Sequence, residues 1–267
     1  MISSQTFQLD EKGQHRLVLV PSPEALAAWG AREIVRLAQE AIAQRGLFHW
    51  VLSGGNTPQA LYQRLAELPN ESIPWSQVHV WWGDERNVPL TDEQSNYRMA
   101  WQVLLGRIPL PQANIHRIRT ELGAKEAASE YAAELQATVP AWASTLPRLD
   151  LILLGMGEDG HTASLFPYTS GLTERQQLVI ANPVPQLQTT RITMTLPLIN
   201  AAAHVMFLVS GASKAETLWK VLFGPRMPLE LPAQEVQPVS GTLTWLVDAP
   251  AATAILSELS KRFGTTL

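Results

Sequence analysis

The chain has 267 residues, 46% hydrophobic and 16% charged, enough apolar content to bury a full core. A formal charge of -4 without a long basic run argues against nucleic acid or an anionic membrane as partner, and zero cysteines exclude disulfides, thiolate metal sites and cysteine nucleophiles. Residues 1–14 carry neither a basic nor an apolar leader segment, and no apolar run approaches the roughly 18–20 residues of a membrane helix, so a soluble cytoplasmic protein is expected.

Strand and helix signals alternate from the start. Residues 16–20 read as a strand, and Ser22 before Pro23 and Glu24 reads as a helix cap and first turn, with apolar periodicity continuing to about 43. A strand at 49–52 runs into Ser53, Gly54, Gly55, Asn56, Thr57 and Pro58, which open a helix reaching about 68. Free backbone N–H groups and the positive end of the helix converge in such a loop, which makes it a phosphate cradle; the plainer alternative is a glycine turn with Thr57 as cap. The next strand, 78–82, ends in Gly83, Asp84, Glu85 and Arg86. Arg86 suits an anionic or polarised oxygen, while Asp84 and Glu85 suit orienting a histidine or accepting hydroxyl protons; solvated charge in a loop is the simpler account.

An alanine-rich helix is expected at 126–137, and a buried strand at 150–154 leads into Gly155, Gly157, Glu158, Asp159, Gly160 and His161. The turn puts His161 at the carboxyl end of a strand, where open α/β sheets keep their ligands. Strands follow at 179–181 and at 191–195, the latter opening on Arg191, with proline-rich surface loops around 183–185 and 225–238. A strand at 204–209 then meets Ser210, Gly211 and a helix to 222, where Ser213 and Glu216 have capping-box spacing. Lys214 sits in the first turn of that helix, against the macrodipole, which hints at a bound phosphate; an exposed lysine pointing away is the alternative. The last strand is expected at 242–247. Strands alternating with helices imply an α/β fold with a mainly parallel, doubly covered sheet.

The spacing of Gly155, Gly157 and Gly160 also fits a dinucleotide-binding turn. Pro167 cuts off the long helix such a turn should open, and the next strand ends in Asn182 and Pro183 where a ribose-binding acid belongs. His15, His49, His79, His116 and His204 lie in or beside apolar segments and read as packing or hydrogen-bonded residues, and no histidine spacing suggests a metal.

With those residues laid out, the chain resembles the 6-phosphogluconolactonases of the glucosamine-6-phosphate isomerase/6-phosphogluconolactonase family. The matching stretches are 52–58, 82–86 with 95–97, 154–167, 191–195 and 210–216, in family order; the specific part is the run from Gly160 and His161 to Pro167, because the related deaminases share it only through Asp159, Gly160 and His161. The resemblance implies a Rossmann-like, doubly wound sheet with helices on both faces, one domain over 1–267, and no metal or organic cofactor. It implies hydrolysis of 6-phospho-D-glucono-1,5-lactone to 6-phospho-D-gluconate in the oxidative pentose phosphate pathway, with His161 as general base on the attacking water. Arg86 and Asp84 are its catalytic companions. Ser53, Gly54, Gly55, Asn56, Thr57, Glu85, Gly157, Asp159, Arg191 and Lys214 are the expected substrate and phosphate contacts. The oxyanion donor stays open between loop N–H groups and Arg86. The expected partner is a small phosphosugar lactone, not nucleic acid or membrane, bound by a monomer or weak homo-oligomer. The rivals are a glucosamine 6-phosphate deaminase, a non-catalytic sugar-phosphate sensor, which would carry a basic DNA-binding element not visible here, and an oxidoreductase.

Overall fold

The computed structural model describes residues 4–141 and 145–264, so positions 1–3 of the N-terminal reading and the ends of the expected 1–267 domain lie outside the described residues. The elements run β1 (Gln5–Gln8), β2 (His15–Val20), α1 (Pro23–Arg45), β3 (Phe48–Leu52), α2 (Asn56–Ala66), β4 (Val78–Trp82), β5 (Asp84–Arg86), α3 (Asn96–Ala100) and α4 (Ala124–Thr138). There follow β6 (Leu151–Gly155), β7 (Val179–Val184), β8 (Thr189–Met194), α5 (Leu196–Asn200), β9 (His204–Val209), α6 (Ala215–Phe223), β10 (Thr242–Asp248), α7 (Ala249–Ala252) and α8 (Leu256–Phe263).

Seven strands form one sheet in the order β1-β2-β10-β9-β6-β3-β4, parallel throughout except for the antiparallel edge strand β1. Their near-continuous apolar runs, such as Leu151 to Leu154 and Val205 to Val209, are buried, as strands covered on both faces must be. The chain steps one way from β2 to β3 and β4, then reverses for β6, β9 and β10. Right-handed crossovers therefore put α1 and α2 on one face and α4 and α6 on the other. The reversal falls between β3 and β6, which are neighbours, so a crevice opens beyond their carboxyl ends.

The expected helix starting at Pro23 forms with Ser22 as its cap: the Ser22 hydroxyl accepts the Ala25 N–H at 3.3 Å. Four expectations need correction. The strands expected at 179–181 and 191–195 are not part of the parallel sheet; β8 pairs antiparallel with both β5 and β7 in a separate three-stranded sheet. Asp84, Glu85 and Arg86, read as a loop, are strand β5 because β8 supplies a ladder partner, not because of any apolar alternation. The capping box of Ser213 and Glu216 does not form: a 3-10 turn over Ala212–Lys214 precedes α6, and Glu216 pairs with Lys220 at 2.7 Å. The segment 225–238 is likewise more than a surface loop. Pro232, Ala233 and Gln234 are buried, and Ala233 donates its N–H to Gly160 O at 3.0 Å, bracing the histidine loop from below. Among the described residues, no helix is long and apolar enough to cross a membrane.

Candidate active site

Two cavities stand out. The larger, of about 450 Å³, opens at the amino-terminal edge of the sheet around His49, His204 and Thr242 and touches none of the glycine loops. The smaller, of about 240 Å³, lies at the switch point between β3 and β6. The smaller one is the candidate active site, because the segments leaving four parallel strands meet there.

The first loop follows β3. Ser53 donates its N–H to Tyr62 Oη at 2.9 Å, and the same hydroxyl donates to Ser53 O at 2.9 Å, so a fully buried tyrosine of α2 fixes where the loop begins. Gly55 is the N-cap residue of α2 at φ 102°, a left-handed conformation that favours glycine, and among the described residues no side chain caps the helix. The N–H groups of the first turn therefore face the cavity that Ser53, Gly54, Gly55, Asn56 and Thr57 line.

The second loop follows β6 and carries His161. Its Nδ1 lies 2.6 Å from Asp159 Oδ1, and the same oxygen accepts the His161 backbone N–H at 3.1 Å. Phe166 stacks on the imidazole with ring centroids 4.1 Å apart. A Cβ on Gly157 would sit 2.1 Å from His161 Nδ1 and 2.4 Å from Asp159 Oδ1, so only glycine leaves room for this pair. Partial burial raises the pKa of Asp159, but the hydrogen bond and charge of His161 outweigh it and hold the carboxyl below its ordinary range. With the proton on Nδ1, directed at that carboxylate, Nε2 presents a lone pair.

The third segment, after β4, is strand β5. Asp84 and Arg86 line the cavity. Asp84 Oδ2 accepts a 2.5 Å hydrogen bond from Ser164, and Arg86 Nη1 donates to Gln94 O at 3.0 Å. Arg86 stands opposite Arg191 in the β5–β8 register, an unfavourable like-charge pair unless an anion intervenes. Arg191 Nε and Nη1 are buried without a partner among the described residues, and burial, reinforced by Arg86, lowers the Arg191 pKa from its ordinary value. The fourth loop, after β9, brings Ser210 and Lys214 to the cavity, with Lys214 Nζ 3.8 Å from Glu158.

Of the expected site residues, Ser53, Gly54, Gly55, Asn56, Thr57, Asp84, Arg86, Gly157, His161 and Lys214 meet around one cavity. Asp159 reaches it through His161. Glu85 and Arg191 do not line it. Glu85 is buried and turned toward α3: its oxygens accept the N–H groups of Arg86, Asn96 and Tyr97, each at 2.8 Å. Burial pushes its carboxyl up to about 7 against the pull of those donors.

The sequence matches the model of the glucosamine-6-phosphate isomerases/6-phosphogluconolactonase family over residues 21–245. The chain belongs to this family. Among its relatives, the 6-phosphogluconolactonase of Synechocystis is 44% identical over 79% of this chain and 86% of its own length. That of Haemophilus influenzae is 39% identical over 81% and 92%. The solved 6-phosphogluconolactonase of Thermotoga maritima superposes with a TM-score of 0.75 at 30% identity, covering 87% of this chain and 98% of that one. A monomeric glucosamine-6-phosphate deaminase shares the fold, with a TM-score of 0.75 at 20% identity.

Within this family frame, sequence reasoning missed three supporting residues. Asn96 fills the space beside Gly54 and donates to Asp84 O at 2.9 Å, and Ser164 holds Asp84; both lie in stretches that carried the resemblance, but a role needed a partner far along the chain. Asp248, fully buried at the end of β10, accepts from Ser210 Oγ at 2.5 Å and Gly211 N at 3.1 Å and caps α7 through Ala251 N at 2.9 Å. The cap half of that role was legible as Asp248 two residues before Pro250.

Proposed function

We propose that this chain hydrolyses 6-phospho-D-glucono-1,5-lactone to 6-phospho-D-gluconate, the lactone-opening step of the oxidative pentose phosphate pathway, with His161 as general base and without a metal. The observation that carries the reading is the oriented dyad of His161 and Asp159 on the same cavity as the uncapped α2 N-terminus, Lys214 and Arg86. The N-terminal amides of α2 and Lys214 suit the phosphate, whose dianion both the helix end and the ammonium favour. That anchor leaves the ring for the His161 side of the cavity. Asp84 suits a substrate hydroxyl.

His161 Nε2 takes a proton from water as its oxygen attacks the lactone carbonyl, forming a tetrahedral oxyanion. Arg86 supplies positive charge for that oxyanion, and Asp159 stabilises the imidazolium. Collapse breaks the bond to the ring oxygen, which leaves as a hydroxyl after receiving the proton back from Nε2. Water and lactone are thus consumed to give one carboxylic acid, which ionises. Metal independence fits the commitment of Asp159 to His161. A cytoplasmic protein working as one domain over 1–267 completes the proposal.

The test follows proton release from freshly generated lactone, above its spontaneous opening, with and without chelator. Acceleration that persists in chelator is expected. No acceleration, with ammonia released from glucosamine 6-phosphate, would replace this reading with the deaminase; loss in chelator would remove the metal-independent mechanism.

A further inference from the structure

Ser164 is 2% exposed, and each of its polar atoms is directed into the small antiparallel sheet. Its hydroxyl donates to Asp84 Oδ2 on β5 at 2.5 Å, its N–H donates to Thr193 Oγ1 on β8 at 3.2 Å, and its carbonyl accepts from Asn182 Nδ2 on β7 at 2.8 Å. One residue of the histidine loop thus touches all three strands of a sheet that shares no ladder with the parallel one. The residue before it, Ala163, lines the cavity with φ at 46°, a left-handed conformation that is strained for an alanine and persists only where its surroundings impose it. They do so on both sides: Thr162 Oγ1 donates to Gly155 O at 2.9 Å before it, and the Ser164 contacts follow.

The bond to Asp84 also sorts its two carboxylate oxygens. Oδ2 is taken by Ser164, and no donor among the described residues reaches Oδ1, on a side chain that lines the cavity. We propose that Ser164 is a positioning residue: it holds Asp84 with one oxygen left for substrate, and it ties the His161 loop to the strand bearing Asp84 and Arg86, so that base, carboxylate and cation keep one geometry. The inference rests on the reading of Asp84 as a substrate contact. A serine that only filled space would be replaced by alanine without a selective loss in turnover.

The test measures kcat, KM and melting temperature for Ser164→Ala, Asp84→Asn and the double variant in the full chain. Loss of a hydrogen bond to a charged group predicts a 10- to 100-fold fall in kcat for Ser164→Ala, with KM within threefold because the phosphate anchors are untouched. The double variant is expected to be no worse than Asp84→Asn, since the serine would act through that carboxylate. If Asp84→Asn is impaired but Ser164→Ala keeps kcat within threefold, the positioning role is overturned while the lactonase reading stands. Near wild-type turnover in Asp84→Asn removes Asp84 as a contact and this inference with it. Losses that multiply in the double variant also overturn it. Should Ser164→Ala not fold, Ser164→Cys, similar in size but a weaker donor, replaces it with the same criteria.

Discussion

Replacing Gly157 with alanine is the sharpest probe of the dyad, because it adds one methyl and alters no functional group. The new Cβ would lie 2.1 Å from His161 Nδ1 and 2.4 Å from Asp159 Oδ1. Ordinary contacts of this kind begin near about 3.4 Å, so the imidazole or the carboxylate must retreat by roughly an ångström. A misplacement of about 1 Å in an aligned catalytic group costs on the order of 100-fold in rate. The fold itself should tolerate the change: Gly157 is not in the left-handed region, and glycine to alanine in a compatible loop narrows the unfolded ensemble by about 0.4–1 kcal/mol. Gly157→Ala is therefore expected to lose about 100-fold in kcat, with KM within threefold and an unchanged melting temperature. Steady-state proton release from the lactone and a thermal melt read these quantities. A well-folded variant within fivefold of wild-type kcat would refute the claim that this contact sets the geometry of the base.

Other outcomes follow from the same structure. His161→Ala is expected to lower kcat by about 10²- to 10⁴-fold while binding of 6-phosphogluconate, measured by calorimetry, survives; near wild-type turnover would end its role as base. Lys214→Ala should raise KM by about 10-fold or more with little change in kcat, and a pure kcat defect would contradict its anchoring role. Stability should depend on pH through His204, whose pKa is lowered to about 4 by burial and secondarily by Arg36. Between about 4 and 6.5 the unfolded chain binds more protons than the folded one, so stability is full above about 6.5 and falls as the pH drops. The shift corresponds to roughly 2–3 kcal/mol by pH 4. Urea unfolding of wild type and His204→Gln at pH 7 and pH 5 checks this: the variant should lose less on acidification, and equal losses would reject the assignment.

The parts of the site legible in the sequence are those made by neighbours along the chain. Gly55 before α2 and His161 two residues after Asp159 form their contacts within a few positions, so spacing and residue type announce them. Glu85 shows the opposite case. Its neighbours Asp84 and Arg86 face the cavity, while strand alternation turns Glu85 to the other side, where it captures the start of α3. Read as a loop, the three charges looked equivalent; paired as a strand, they cannot be.

The alternating strands and helices, the mainly parallel sheet, and the segments that carry glycine, acid, histidine and lysine were legible in the residues alone, because apolar runs and turn residues act locally. The rest arises from packing. Strand order put β3 beside β6 and so brought residues 53–57 against residues 155–161, a contact across about a hundred positions that no local propensity encodes. Pairing with β8 made a strand of Asp84 to Arg86, and Ser164 found Asp84 eighty positions away. Such contacts depend on which surfaces the whole core leaves adjacent once its apolar area is buried, and that is a property of the packed chain.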